Sequence, residues 1–348
     1  KTSMILFSTI AASLSRPRAS GGILSSILPN PSIPTAFVSK GHRRRRGASA
    51  PFSVRALSCN DASDGGTIPG RLPLKLPPVA SYCGRPPDSP PGRQRNHCPL
   101  VYTEEYGVPE WPVSAPGKRG HTFPMGKFAA IADHLTTPRG DAPPLVRSAG
   151  DFHRPLAFVY VPIRTWIGEV HDENYLTRFL SGNLSEGEAR KIGFKEMCAW
   201  PSLIRRTVSE VAGTVLTARL ALDHGLAVNL AGGTHHARFA RGSGYTILND
   251  LACAANELTR YNDGPQEVLV VDCDVHQGDG TATFAGVLPN GRGMFRTLSV
   301  HCEENWPFPK QHGGTYDVGL PAGTDDKGYL DATLSALRIA LEECRPDL

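Results

Sequence analysis

Two short stretches concentrate the side chains that can do chemistry. The first is Glu267 to Gly280, EVLVVDCDVHQGDG, where Asp272, Asp274, His276 and Asp279 fall within eight residues after the apolar run Val268 to Val271. A short β-branched run ended by polar residues predicts a strand buried on both faces, as in a parallel sheet. Extended backbone alternates its side chains, so Asp272, Asp274 and His276 share one side and Cys273 points to an apolar one, as core and not as ligand. Two carboxylates and an imidazole aimed at one point are costly to bury unless a cation lies between them. Oxygen and nitrogen donors of this kind suit a divalent metal, zinc first. The bland alternative is a strand that ends in a solvated acidic turn.

The second stretch is Gly225 to Ala237, GLAVNLAGGTHHA. Residues 225–230 read as another short buried strand. The paired glycines Gly232 and Gly233 allow a tight turn and a close backbone approach to a ligand. They deliver His235 and His236 to the carboxyl end of a strand, as Asp274 and His276 are delivered. Ligands of open α/β sheets bind at that edge. A lone histidine pair on a loop is more often plain surface, but two loops rich in His and Asp at equivalent strand ends point to one shared site.

The elements that must hold these loops are legible as well. From Pro99 the chain reads as folded. Phe123 to Lys127 leads into a helix through Leu135, Leu156 to Val161 predicts a strand, and Glu173 to Leu180 a helix. Pro201 to His224 predicts a long amphipathic helix, with proline suited to its first position and Gly225 to its stop. Asn249 to Tyr261 predicts another helix and Phe295 to His301 another strand. Lys327 to Cys344 predicts a last helix, with Leu330, Leu334, Leu337 and Leu341 on one face. Strands alternating with helices predict an α/β fold, a parallel sheet covered on both faces.

The two loops carry a family resemblance. GGTHHARFARGSGYTILND (232–250) followed by VDCDVHQGDGTA (271–282) resembles the zinc-dependent histone deacetylase family, its class IV and bacterial-type branch above all. HTFPMGKF (121–128), VHDENYL (170–176), IGF (192–194) and TLSVHCEENWPFP (297–309) support it. The resemblance implies the arginase/deacetylase α/β fold and hydrolysis of the amide bond of acyl-lysine, the chemistry of protein and histone deacetylation in chromatin regulation. It implies Asp274 and His276 as two zinc ligands. It implies His236 as general base and then acid, oriented by Asp279. His235, paired with Asp272, would act electrostatically or as proton donor, and Asp272, near Ser299 and Val300, would border a monovalent cation such as K+. Asp272 can also be a buried carboxylate satisfied by backbone N–H groups. Gly244 and Tyr245 match the family's substrate-channel wall, where an aromatic face suits an aliphatic lysine stem; Tyr245 can equally be a packed core aromatic. Trp306 and Phe308 either face that wall or pack the following loop. His171, Asp172 and His301 are expected to be structural. The family's third metal ligand, a later Asp, and its Gly-Gly-Tyr loop have no counterpart before Leu348, so the sheet is expected to lack its last strands.

Composition bounds the setting. The 348 residues carry 37 Lys/Arg against 33 Asp/Glu, eight cysteines without a CxxC pair, and no apolar run of membrane-spanning length. Scattered cysteines argue for a reducing compartment rather than a disulfide scaffold. Residues 1–60 hold nine Lys/Arg and no acid, which leaves 28 basic against 33 acidic residues in the remainder. The basic balance thus belongs to the leader, and the folded part shows no nucleic-acid-binding character. An acid-free segment rich in Ser, Thr, Ala and Arg predicts a transit peptide, plastid first and mitochondrion second. Arg43 to Arg46 can also be read as a nuclear localisation patch. Residues 61–98, dense in Pro and Gly, predict a linker or irregular wrap, and 99–348 the deacetylase-like domain. Three functions remain open on sequence: a protein deacylase, a deacetylase of small acylated amines such as polyamines, and a non-catalytic relative.

Overall fold

The structure, a computed structural model, describes residues 4–7, 55–56, 74–85, 98–114, 119–140 and 142–348. The leader expected over 1–60 lies outside the described residues except for two short backbone strands, β1 (Met4–Phe7) and β2 (Arg55–Ala56). There follow β3 (Cys83–Arg85), β4 (Leu100–Val101), α1 (Lys127–Thr136), β5 (Arg154–Pro155), α2 (Ile163–Trp166), α3 (Glu173–Leu180) and α4 (Glu186–Ile192). The second half runs α5 (Pro201–His224), β6 (Leu226–Asn229), α6 (Asp250–Thr259), β7 (Glu267–Asp272), β8 (Gly286–Val287), β9 (Met294–Cys302), β10 (Tyr316–Leu320) and α7 (Asp326–Cys344).

The parallel strands form two sheets. One has the order β1-β6-β4, parallel throughout, and the other β2-β10-β9-β7, in which β10, β9 and β7 are parallel. In both, the chemistry-bearing loops leave from carboxyl ends of parallel strands, β6 and β7. Beyond α7, Asp347 and Leu348 turn back along the free edge of β7, where Leu269 N–H donates to the Leu348 carbonyl (2.9 Å). On its other side, among the described residues, β7 borders only β9. Val268 is buried but Val271 is 39% exposed, so β7 is not the doubly covered strand its sequence predicts.

The long helix is α5. Its start at Pro201 and its stop at Gly225 (φ 84°) are those its sequence predicts. It is not amphipathic in place: from Leu203 to Ala221 almost every side chain is buried, against α6, β6 and β4. Its polar residues are therefore paired inside the protein. Arg206 donates two bonds to Glu210 (2.8 and 2.6 Å), and the Thr214 hydroxyl donates to Asp250 (2.5 Å). Buried charges are tolerated only when matched in this way.

Two predicted faces turn out differently. Leu156 to Val161 is not a strand. Only Arg154–Pro155 pairs, and Phe158–Tyr160 forms a 3-10 turn with Val159 and Tyr160 exposed. Pro155 and Pro162 bracket the segment and remove ladder donors at both ends. On α7, Leu330, Leu334 and Leu341 are 56%, 50% and 40% exposed, while Ala336, Ala340 and Cys344 pack on Leu298, Val300 and Val318. Small side chains let the helix approach the strands closely, and the leucines, of which only Leu337 is drawn in, line its flank and outer side. Among the described residues no helix is long and apolar enough to cross a membrane.

Within the expected linker, residues 74–85 lie on the folded body. Tyr82 is buried and stacks on Trp166 at 5.6 Å, and Arg219 Nε donates to the Pro77 carbonyl (3.0 Å).

Candidate active site

The Gly232-Gly233 turn adopts φ values of 91° and 74°, which l-residues with a side chain rarely occupy. Asp250, the first residue of α6, holds this turn in place. Its carboxylate accepts from Gly233 N–H (2.9 Å), Thr234 N–H (2.8 Å), the Thr234 hydroxyl (2.6 Å) and the Thr214 hydroxyl. The sequence contains the signal, an Asn-Asp pair at a helix start, but its role needs the spatial approach of a loop sixteen residues upstream. Asn249 caps α6 by accepting from Ala252 N–H and also donates to the Ala237 carbonyl (3.0 Å).

The imidazoles then meet their carboxylates. His235 Nδ1 is 2.6 Å from Asp272 Oδ2, and His236 Nδ1 is 2.7 Å from Asp279 Oδ1. The other Asp279 oxygen accepts from Arg238 Nη2 at 2.7 Å, a contact not foreseen from sequence. The two imidazole rings are 4.0 Å apart. Their electrostatics diverge. Burial opposes a charge on His235, but the carboxylate of Asp272, with Asp274 and Asp279 behind it, raises its pKa to about 9. Burial and the positive charge of His235 lower His236 to about 4, against the pull of Asp279. Burial pushes the Asp279 carboxyl up, but its bonds from His236 and Arg238 outweigh this and hold it below the usual range. At neutral pH the pair is thus one imidazolium on Asp272 and one neutral imidazole whose Nδ1–H donates to Asp279. The latter leaves Nε2 with a free lone pair.

Asp274 and His276 arrive by a different route from simple strand alternation. β7 ends at Asp272, and two successive side-chain turns follow: Asp272 Oδ1 accepts from Asp274 N–H (3.0 Å), and Asp274 Oδ1 from His276 N–H (2.8 Å). His276 Nδ1 is 2.9 Å from the same Asp274 oxygen. Burial raises the Asp274 carboxyl, yet its bond from His276 and the charge of His235 bring it down to about 2. An ionised carboxylate beside an imidazole suits zinc. Among the described residues no group of three His, Cys, Asp or Glu side chains is gathered that could hold a metal. Asp274 and His276 stand together as one oxygen and one nitrogen donor, with no third such side chain beside them among the described residues. Cys273 is exposed and so is not the core residue its alternation predicts; the Tyr329 hydroxyl of α7 donates to its carbonyl (3.2 Å).

These residues open onto a cavity of about 440 Å³. His235, His236, Asp274, His276, Gly244, Tyr245 and Trp306 all line it. Trp306 stands 4.6 Å from the His236 ring and 5.9 Å from His276. A Cβ on Gly244 would come within 2.5 Å of His236 Cδ2 and 2.8 Å of Trp306, so only glycine fits between them. Tyr245 adopts φ 64° and packs on His121, Phe123 and Phe194, with its hydroxyl 2.9 Å from that of Thr122. It is thus both packed and cavity-lining. Phe308 is exposed and does not line the cavity. Ser299 accepts from Gly278 N–H (3.3 Å) and contacts His301 Nδ1 (3.1 Å), which leaves His301 buried and satisfied.

His171 is the strut behind the histidine loop. Carbonyls only accept, so its Nδ1–H donates to Arg238 and Phe239 (3.1 and 3.2 Å), and Nε2 accepts from Asn249 N–H (3.0 Å). Burial lowers its pKa from 6.5 to about 4. Because the folded value lies below the unfolded one, the unfolded chain takes up a proton that the folded chain refuses as pH falls from 6.5 toward 4. Stability is therefore expected to drop by up to roughly 3 kcal/mol across that window from this group, and not to change through it above about pH 7. Urea denaturation at pH 7 and pH 4.5 measures the loss. His171→Gln should remove a large part of it, and an unchanged pH slope in that variant contradicts the assignment.

Residues 160–348 match the family model described as the histone deacetylase domain. An uncharacterised protein of Picosynechococcus sp. is 40% identical over 251 residues, 72% of this chain and 75% of that protein. Histone deacetylase 2 of Arabidopsis thaliana is 30% identical over 188 residues, 51% of this chain and 46% of that one. The acetoin utilization protein AcuC of Staphylococcus aureus is 30% identical over 182 residues, 48% and 45% respectively. The chain thus spans about half the length of these last two relatives. The crystal structure of an HDAC homologue from Aquifex aeolicus superposes with a TM-score of 0.53 at 20% identity, covering 73% of this chain and 67% of that one, a likeness of fold. With the family model matched over more than half its length, the chain belongs to the histone deacetylase family, whose members are amide hydrolases of the deacetylase type.

Proposed function

We propose that the protein hydrolyses the amide bond of acyl-lysine side chains in proteins. The single observation that carries this reading is the paired His–Asp geometry: a neutral His236 held by Asp279 beside a charged His235 held by Asp272, both on one cavity. His236 Nε2 takes a proton from the attacking water while Asp279 keeps Nδ1 protonated and the ring oriented. As the carbon–nitrogen bond breaks, the proton returns from His236 to the leaving amine. The His235 imidazolium places a positive charge where negative charge develops on the acyl oxygen. Asp274 and His276 would hold zinc, which when bound polarises the acyl carbonyl and acidifies the attacking water. Gly244, Tyr245 and Trp306 give the cavity an aromatic wall that suits an aliphatic lysine stem.

The charge of the lining favours acyl-lysine over acylated polyamines. Its carboxylates are Asp274 and Glu210, and Glu210 is already matched by Arg206, while Lys127 and Lys191 add two cations. A polycationic substrate meets repulsion there. The test is hydrolysis of an acetyl-lysine peptide beside an N-acetylated polyamine at equal concentration. The reading requires the peptide to be the better substrate by kcat/KM, and it falls if the polyamine is preferred or neither is cleaved. The acid-free leader supports a plastid setting, which import of the labelled precursor into isolated organelles checks.

A further inference from the structure

The cavity lining includes charged residues that the reaction steps leave unused. Lys127, the first residue of α1, is one of them, together with Arg206 and Glu210. The two cations differ. Arg206 is matched twice over by Glu210, whereas among the described residues Lys127 has no hydrogen bond and no carboxylate within 4 Å of its ammonium. Its Nζ stands over the rings of Phe123 and Phe128, 5.0 and 5.1 Å from their centroids. Ring faces support an ammonium only weakly compared with a carboxylate. Burial first, then the charge of Arg206, holds its pKa below the usual lysine value against the pull of Glu210 and Asp274, so its charged form still gains from an anion. Glu210 and Asp274 act on Lys127 only through space, and a partly buried ammonium with no carboxylate in contact, on the same cavity as the histidine pair, is a site for a carboxylate.

We propose that Lys127 anchors the acyl end of the substrate and that the acyl groups this protein removes include short dicarboxylic ones, whose distal carboxylate pairs with the Lys127 ammonium. The proposal rests on the acyl-lysine reading above and narrows its substrate class. The reaction balances as hydrolysis: the water oxygen bonds to the acyl carbon, the carbon–nitrogen bond breaks, and the water proton goes to the lysine amine. The products are a dicarboxylate and the peptide's unmodified lysine side chain, with water as the only co-substrate and no oxidant or reductant.

The experiment uses the full chain, first stripped of metal with a chelator. Calorimetry compares peptides carrying butyryl-, succinyl- or glutaryl-lysine, which differ by chain length and a carboxylate. At least one dicarboxylic peptide is expected to bind about tenfold more tightly than the butyryl peptide, a gain that shrinks with added salt, as an ion pair requires. Lys127→Gln should abolish that gain and Lys127→Arg should retain most of it. Equal binding of all three peptides, binding of none, or a gain that survives Lys127→Gln overturns the anchor. Free acetate is titrated in parallel: competition by acetate without a gain for the dicarboxylic peptides assigns the cation to the released product and also overturns the substrate class. Turnover by the zinc-loaded chain separates the two claims. If no acyl-lysine peptide is cleaved, the hydrolase reading fails and Lys127 is still judged by binding. If acetyl-lysine is cleaved and the dicarboxylic peptides bind no better, only the anchor fails.

Discussion

His236→Ala is expected to lower kcat/KM for acetyl-lysine peptide hydrolysis by about 10³-fold, the upper half of the range for losing a general base. His236 is buried and neutral, and its Nδ1 is committed to Asp279 at 2.7 Å, so Nε2 alone is available to the water. His235, held as imidazolium near a pKa of about 9, has no free lone pair at neutral pH and cannot substitute. Asp279→Asn should cost less, about 10²-fold, because the amide still fills the space but can leave the ring in the wrong tautomer. Asp279 acts through His236, so the second variant should also move the acidic limb of the pH–rate profile to lower pH, because the negative charge that favours His236 protonation is gone. A merely structural Asp279 would lower the rate without moving that limb. A His236→Ala enzyme within tenfold of the parent rate contradicts its assignment as the base.

Asp250→Ala is the second large effect, and it concerns stability. The carboxylate is fully buried and accepts from two backbone N–H groups and two hydroxyls. Its removal strands donors that water cannot reach, each at about 1–3 kcal/mol, and takes an acidic residue from the first turn of α6. With partial relaxation the total is expected at roughly 3–5 kcal/mol, near the upper end for a single substitution. Asp250→Asn keeps one acceptor oxygen and should cost less. Denaturant midpoints for the three proteins measure this directly. A midpoint for Asp250→Ala within experimental error of the parent would show that the Gly-Gly turn is held by something else. Activity should fall with stability in Asp250→Ala, because the same turn carries His235 and His236.

Much of this site is legible in sequence because local rules act there alone. Pro201 and Gly225 mark the ends of α5, and the Gly-Gly turn and the Asp–His spacing place the ionisable groups at strand ends. The pairings His235–Asp272 and His236–Asp279 follow from the family resemblance, and the geometry agrees with them. What escapes is what depends on tertiary neighbours. Asp250, Arg238 and the tautomer of His171 are fixed by loops that meet only in the fold. The apolar residues of α7 mislead because its buried side is set by how closely Ala336 and Ala340 let β9 and β10 approach, not by where leucine recurs. Val271 misleads for a related reason: a run of valines predicts a strand, but how far its faces are covered depends on which elements pack over them. His276 reaches Asp274 through side-chain-to-backbone turns, where strand periodicity has already ended.

The central claim is that Asp274, His276 and His236 belong to one hydrolytic centre that uses a metal. Its most direct test is the rate of acetyl-lysine hydrolysis against free zinc concentration, for the parent protein and for Asp274→Ala. The account predicts saturable activation of the parent and, for Asp274→Ala, a requirement for at least about 10-fold more zinc or no activation at all, as expected when one of few ligands is lost. Hydrolysis that is indifferent to zinc and to chelator, and equal in the two proteins, would contradict it.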